Sequence, residues 1–204
     1  EIAQTECFTG KFFARYWVHN GMLQLGGEKM SKSTGNLITI EEFLNKYNAD
    51  TLRFTVLNSS YRSPLTFTDD VLGQSQKALE RLRSALRPAL PSASGAPTEV
   101  LDSLQKQTDA TQDNFTFAMD DDFNSAGSLG GLFDLVRVIN QTRTSGASDN
   151  ELKVAQDKIR ELTSVLGLLL TNGESTGSNA DAFIDLLVEL RTKLRNEKQW
   201  AYSD

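Results

Sequence analysis

The chain is poor in several residue types. Its 204 residues include a single cysteine, Cys7, so an intrachain disulfide is ruled out and a cytoplasmic protein is expected. His19 is the only histidine. Basic residues do not dominate: 21 Lys and Arg face 27 Asp and Glu, a net charge of −6, which gives no bulk attraction to nucleic acid but leaves room for a local positive face. No apolar run approaches the roughly 18 residues that a membrane span requires, and the longest, Val165 to Leu170, is interrupted by Gly167, so no membrane partner is expected. No signal-like run is visible. The chain opens on Glu1 and stops inside an amphipathic pattern, and the expectation is a piece of a longer protein.

Against this background stands Gly26-Gly27-Glu28-Lys29-Met30-Ser31-Lys32-Ser33-Thr34-Gly35-Asn36. Two lysines three apart sit among glycines and hydroxyl side chains, so short residues leave backbone N–H groups reachable while two ammonium groups converge on a polyanion. Such a loop suits a triphosphate, because a lysine on a long flexible stem can close on a pyrophosphate leaving group as its charge builds up. The bland alternative is a hairpin followed by a solvated basic turn. From average residue usage, Lys-Met-Ser-Lys-Ser arising unprompted in a chain of this length is on the order of one in ten thousand.

Around the loop the pattern reads as follows. Residues 1–6 look like a helix end closed by Thr9-Gly10-Lys11. Residues 12–19 are β-prone, and Asn20-Gly21 predicts a hairpin to a second strand, Met22 to Leu25, that runs into the lysine loop. Thr39 and Glu42 form a capping box for a short helix, and Asn48 caps another whose Leu52, Val56 and Leu57 are expected to be buried. Thr68 opens a long helix with Asp69 and Asp70 in its first turn and a stripe through Leu72, Leu79, Leu82 and Ala85. Pro88 and residues 91–97 stop it.

Further helices are expected from Thr98 to Met119, Ser125 to Thr142 and Asn150 to Leu170. Thr108 and Thr111 on the inner face of the first predict looser packing, and Gly127, Gly130 and Gly131 in the second predict a close neighbour. Asp120-Asp121-Asp122 reads as a helix-terminating acidic cluster rather than a cation site, since consecutive residues on a turn rarely converge on one ion. After the linker-like residues 171–179, a final helix from Ala180 has Arg191, Lys193, Arg195 and Lys198 largely on one side.

The lysine loop resembles the second signature motif of class I aminoacyl-tRNA synthetases. With Arg15-Tyr16-Trp17-Val18-His19-Asn20-Gly21, Leu52-Arg53-Phe54, Tyr61-Arg62-Ser63-Pro64-Leu65, Leu79-Glu80-Arg81-Leu82 and Met119-Asp120-Asp121-Asp122-Phe123-Asn124, the chain resembles the cysteinyl-tRNA synthetases over most of its length. The resemblance implies a mainly α fold: the end of a Rossmann-type catalytic domain with a β-hairpin and stem-contact helices over 1–67, then an antiparallel helical bundle of tRNA-binding type over 68–204.

It implies activation of cysteine by ATP with Mg²⁺, then transfer to tRNA(Cys), by a monomer. Lys29 and Lys32 would stabilise phosphate charge during activation. Lys29, Met30, Ser31, Lys32 and Ser33 would line the ATP site, with Met30 and Glu28 holding the loop. His19 would bind the amino acid, with a proton-transfer role open beside a purely structural one. Glu1 would be one ligand of the family's Zn²⁺, whose other ligands lie before residue 1, so no zinc is expected on these residues alone. The first signature motif, His-Ile-Gly-His, is not among them either, and the 204 residues alone are expected to be inactive. Arg53 and Arg62 either face tRNA phosphates or pair with nearby acids. Two rivals remain: a cysteine ligase acting on an amino-sugar inositol in thiol biosynthesis, which shares the lysine loop, and a non-catalytic helical RNA-binding module.

Overall fold

A computed structural model describes residues 1–25, 38–170 and, for the backbone alone, the strand residues 28–29. The order is α1 (Ile2–Thr9), β1 (Leu23–Leu25), β2 (Glu28–Lys29), α2 (Ile40–Leu44), α3 (Ala49–Leu57), β3 (Leu65–Phe67), α4 (Asp69–Ala85), α5 (Thr98–Asp120), α6 (Ser125–Thr144) and α7 (Asp149–Val165). The protein is mainly helical, as expected. The linker 171–179 and the final helix from Ala180 lie outside the described residues.

Helix starts follow the sequence closely. Thr39 and Glu42 close a reciprocal capping box, with both the Thr39 N–H and its hydroxyl donating to the Glu42 carboxylate. Asn48, Thr68 and Asn124 cap α3, α4 and α6 through their side chains. Gly10 ends α1 in the left-handed conformation that a residue without Cβ accepts at no steric cost.

The core forms where α4, α5, α6 and α7 pack together. Leu79 and Leu82 of α4, Leu129, Leu132, Leu135 and Ile139 of α6, and Leu152 and Ile159 of α7 are fully buried. Phe54 of α3 joins this cluster and meets Phe133 edge-on at 6.2 Å. Each fully buried aliphatic side chain contributes about 1.5–3 kcal/mol of transfer free energy.

Several expectations are corrected. Residues 12–19 form no strand and Asn20-Gly21 is not a hairpin turn: β1 pairs parallel with β3, Leu23 opposite Leu65 and Leu25 opposite Phe67, and antiparallel with β2, Gln24 opposite Lys29. A parallel partner more than 40 residues away outcompetes the local turn. In α3 the buried face is Asp50, Thr51, Phe54 and Thr55, whereas Val56 is exposed. The Thr55 hydroxyl bonds that of Ser75 in α4 at 2.8 Å, so a polar pair occupies this helix contact.

Thr108 and Thr111 are as buried as their apolar neighbours, each hydroxyl satisfied by the carbonyl four residues back, and no looseness results. Gly127 and Gly130 face solvent rather than a neighbouring helix. Gly167, at φ 71°, stops α7 after Val165, so Leu168 and Leu170 turn inward while Leu169 faces out. The carboxylate of buried Asp50 accepts the Leu169 and Leu170 N–H groups at 3.3 and 3.0 Å and ties this turn to α3.

Candidate active-site loop and its anchorage

Lys29 belongs to β2, its backbone held against Gln24 of β1. Its side chain and residues Met30, Ser31, Lys32 and Ser33 lie outside the described residues. What the structure positions is the base of the loop. Leu23 and Leu25 lead into it and Ile38 follows it, and all three line one cavity of about 930 Å³. Phe43, Leu52, Phe67 and Leu72 give that cavity apolar walls, and Glu42, Lys46, Tyr47 and Asp69 supply polar groups. The two ends of the lysine loop thus frame a concave apolar space of the kind small ligands occupy.

The strand carrying the loop is fixed at its entry. Gly21 donates its N–H to the Tyr61 carbonyl at 2.7 Å, and Leu65 donates to the Met22 carbonyl at 3.0 Å. A Cβ on Gly21 would lie 2.0 Å from the Ser63 carbonyl oxygen, so only glycine lets the two chains approach this closely.

The segment that receives Gly21 is in turn held by the turn between α5 and α6. The Asp122 carboxylate accepts from Arg62 Nε at 2.7 Å, from Arg62 Nη2 at 3.0 Å and from the Tyr61 hydroxyl at 2.7 Å. The guanidinium of Arg62 also lies over the Tyr61 ring, 5.1 Å from its centre. Arg62 first, then Tyr61, hold the Asp122 carboxyl down at about 2, while Asp122 holds the Arg62 guanidinium still more firmly protonated and raises the Tyr61 phenol. Beside it, the Ser125 hydroxyl donates to the Leu57 carbonyl at 2.7 Å. Arg53 pairs with Asp50 at 3.6 Å. Both arginines therefore have acidic partners within the chain.

His19 lies two residues before Gly21 in an irregular, exposed segment, its ring stacked on Trp17 at 6.4 Å and 13°. Phe12 and Tyr16 nearby are 91% and 87% exposed. Glu1 is exposed and precedes α1 without a side-chain capping bond. Among the described residues no three His, Cys, Asp or Glu side chains converge on a metal-sized site. Glu1 is a single carboxylate and does not make up a zinc centre by itself.

A second concave feature runs between α4 and α6. Arg81, Ser84, Val136, Arg137, Asn140, Gln141 and Thr144 line a groove of about 410 Å³. Arg81 stacks over Phe133 at 4.8 Å and Arg137 reaches Asp134 at 3.4 Å. The exposed side of α5, by contrast, carries Glu99, Asp102, Asp109, Asp113 and Asp120 against Lys106 alone. Sequence reasoning passed over Arg81 and Arg137 because their proximity depends on which faces of α4 and α6 meet.

Residues 1–77 match the family model described as tRNA synthetases class I (C) catalytic domain, and residues 114–171 match the DALR domain. The whole chain is 43% identical over 206 residues to a cysteine–tRNA ligase of Dehalococcoides mccartyi and 38% identical over 210 residues to one of Pseudomonas aeruginosa. It spans 43% of the length of each of these relatives. Among solved structures, the ternary complex LeuRS-tRNA-LeuAMS of Agrobacterium radiobacter K84 contains a chain similar in fold, with TM-score 0.53 and 20% identity over 74% of this chain and 20% of that one.

Proposed function

We propose that the chain, similar from end to end to cysteine–tRNA ligases and matched by the class I (C) catalytic and DALR family models, is a class I cysteinyl-tRNA synthetase and forms part of a ligase that activates cysteine with ATP and transfers it to the 3′ end of tRNA(Cys). The observation that carries this reading is the 43% identity over an alignment that covers all of the chain. In this proposal residues 1–67 end a Rossmann-type catalytic domain with its stem-contact region, and residues 68–204 form an antiparallel tRNA-binding bundle.

The chemistry asks the cysteine carboxylate to attack the α-phosphorus of ATP while pyrophosphate departs. Charge accumulates on the bridging oxygen and the leaving group, where Lys32, assisted by Lys29, supplies compensating ammonium groups. Met30, Ser31 and Ser33 complete the ATP contact, and His19 sits by the amino acid. Mg²⁺ accompanies the triphosphate. The transfer step then needs tRNA laid along the bundle, where Arg81 and Arg137 offer donors to phosphate oxygens in a groove away from the acidic side of α5. The 204 residues alone do not complete the reaction, because the first signature motif is not among them. The complete ligase is a monomeric cytoplasmic enzyme in this reading, with Glu1 as one ligand of its Zn²⁺.

The test is cysteine-dependent ATP–pyrophosphate exchange by the complete ligase. Lys32→Ala lowers kcat by about a hundredfold, roughly 2.7 kcal/mol of transition-state stabilisation, with a smaller change in KM for ATP. An unaltered rate would remove the loop from the chemistry.

A further inference from the structure

The turn between α5 and α6 holds two consecutive non-glycine residues in the left-handed region, Asp122 at φ 53° and Phe123 at φ 54°. Such residues are strained, and they persist where the surroundings fix them. Glycine would make this turn at no steric cost. The chain instead keeps a carboxylate that takes three hydrogen bonds from Tyr61 and Arg62, about 60 residues earlier.

The side chains of Arg62 and Asp122 are 63% and 53% exposed, and an ion pair so open to water adds little to stability. Its geometry, though, is highly constrained. The bidentate fork sets the angle of the guanidinium, the Tyr61 hydroxyl sets the position of the ring, and the Tyr61 carbonyl holds Gly21 at the entry to β1. From β1 the register passes to β2 through the Gln24–Lys29 pair. An unbroken series of contacts therefore joins the head of the bundle to the strand bearing the first loop lysine.

We propose that Asp122 is a positioning residue for the strand that bears Lys29: through Arg62 and Tyr61 it fixes the entry to β1 relative to the bundle, and so fixes the β1–β2 register from which Lys29 is presented. This rests on the ligase reading above. It assigns Asp122 an orienting task that a turn-former would not have, and it makes the bundle part of the activation machinery as well as an RNA platform. A displaced lysine weakens an interaction that matters most in the transition state, so the effect belongs in kcat.

Asp122→Gly separates the two roles, because glycine adopts φ 53° freely while removing the carboxylate. In the complete ligase this variant should exchange pyrophosphate with kcat reduced about tenfold, KM for ATP within about twofold and the melting temperature within a few degrees of wild type. Asp122→Asn tolerates the same backbone and keeps an acceptor for the Tyr61 hydroxyl, and should recover at least about a third of the wild-type kcat. A glycine variant with kcat within about twofold of wild type would overturn the proposal, as would a change confined to KM. So would a fall in kcat accompanied by a loss of more than about ten degrees in melting temperature, which would make Asp122 a stability residue. Wild-type protein that performs no cysteine-dependent exchange would overturn the ligase reading and this inference together, whereas an active wild type with an insensitive glycine variant overturns the inference alone.

Discussion

A methyl group at Gly21 would collide with backbone, and backbone cannot swing aside as the end of a side chain can. Gly21→Ala should therefore cost about 2–3 kcal/mol in chemical denaturation and loosen the 61–64 segment from β1. Asp122 makes a complementary prediction. Its carboxyl is held down to about 2 in the folded chain against a usual value of 3.8. A depressed folded value means that the stabilisation is fully present above the unfolded value and disappears as pH falls through the folded one. The small stability margin of wild type over Asp122→Asn should thus be constant well above the usual value of 3.8, shrink as pH falls below it and vanish only below the folded value of about 2, as read from urea titrations at stepped pH. Neither role could be read from the sequence. Asn20-Gly21 carried a strong hairpin signal that a distant parallel strand overrode, and Asp122 looked like one of three terminating acids because its partner was far away along the chain.

Among the helices, caps and stripes were legible because they depend on neighbours within four residues, as with Thr39 and Glu42 or Leu79 and Leu82. What was not legible is how one helix finishes another. The buried guanidinium of Arg143 in α6 donates through Nη2 to the Ala85 and Arg87 carbonyls at 2.7 and 2.9 Å, and Gln156 in α7 donates to the same two carbonyls at 2.9 Å. Two side chains from different helices thereby satisfy the carbonyls at the end of α4, with the cation placed at the negative pole of its dipole. Burial lowers the affinity of Arg143 for its proton, a cost these bonds offset. Arg143→Leu fills similar space but removes the donors, and an unfolding titration should show a loss of about 2 kcal/mol.

For the molecule as a whole, an excess of six negative charges must coexist with an RNA partner under the proposed function. Among the described residues, acids cluster on the outer side of α5 while Arg81 and Arg137 line the groove between α4 and α6, so that groove is the face to test. Replacing both arginines by alanine should weaken tRNA binding by the complete ligase and reduce the slope of log affinity against log salt by about two, one for each phosphate that no longer meets a guanidinium. An unchanged slope would direct RNA to another face. Most of this surface was hidden from the sequence, because a net charge says nothing of how charges are arranged.

Labelled cysteine offered with ATP to the complete ligase, with tRNA and an amino-sugar inositol supplied in parallel, tests whether the chain serves cysteine transfer to tRNA. Label is expected on tRNA, falling about a hundredfold in rate with Lys32→Ala. Label on the sugar would assign the chain to thiol biosynthesis instead, and label on neither acceptor would contradict the enzymatic reading altogether.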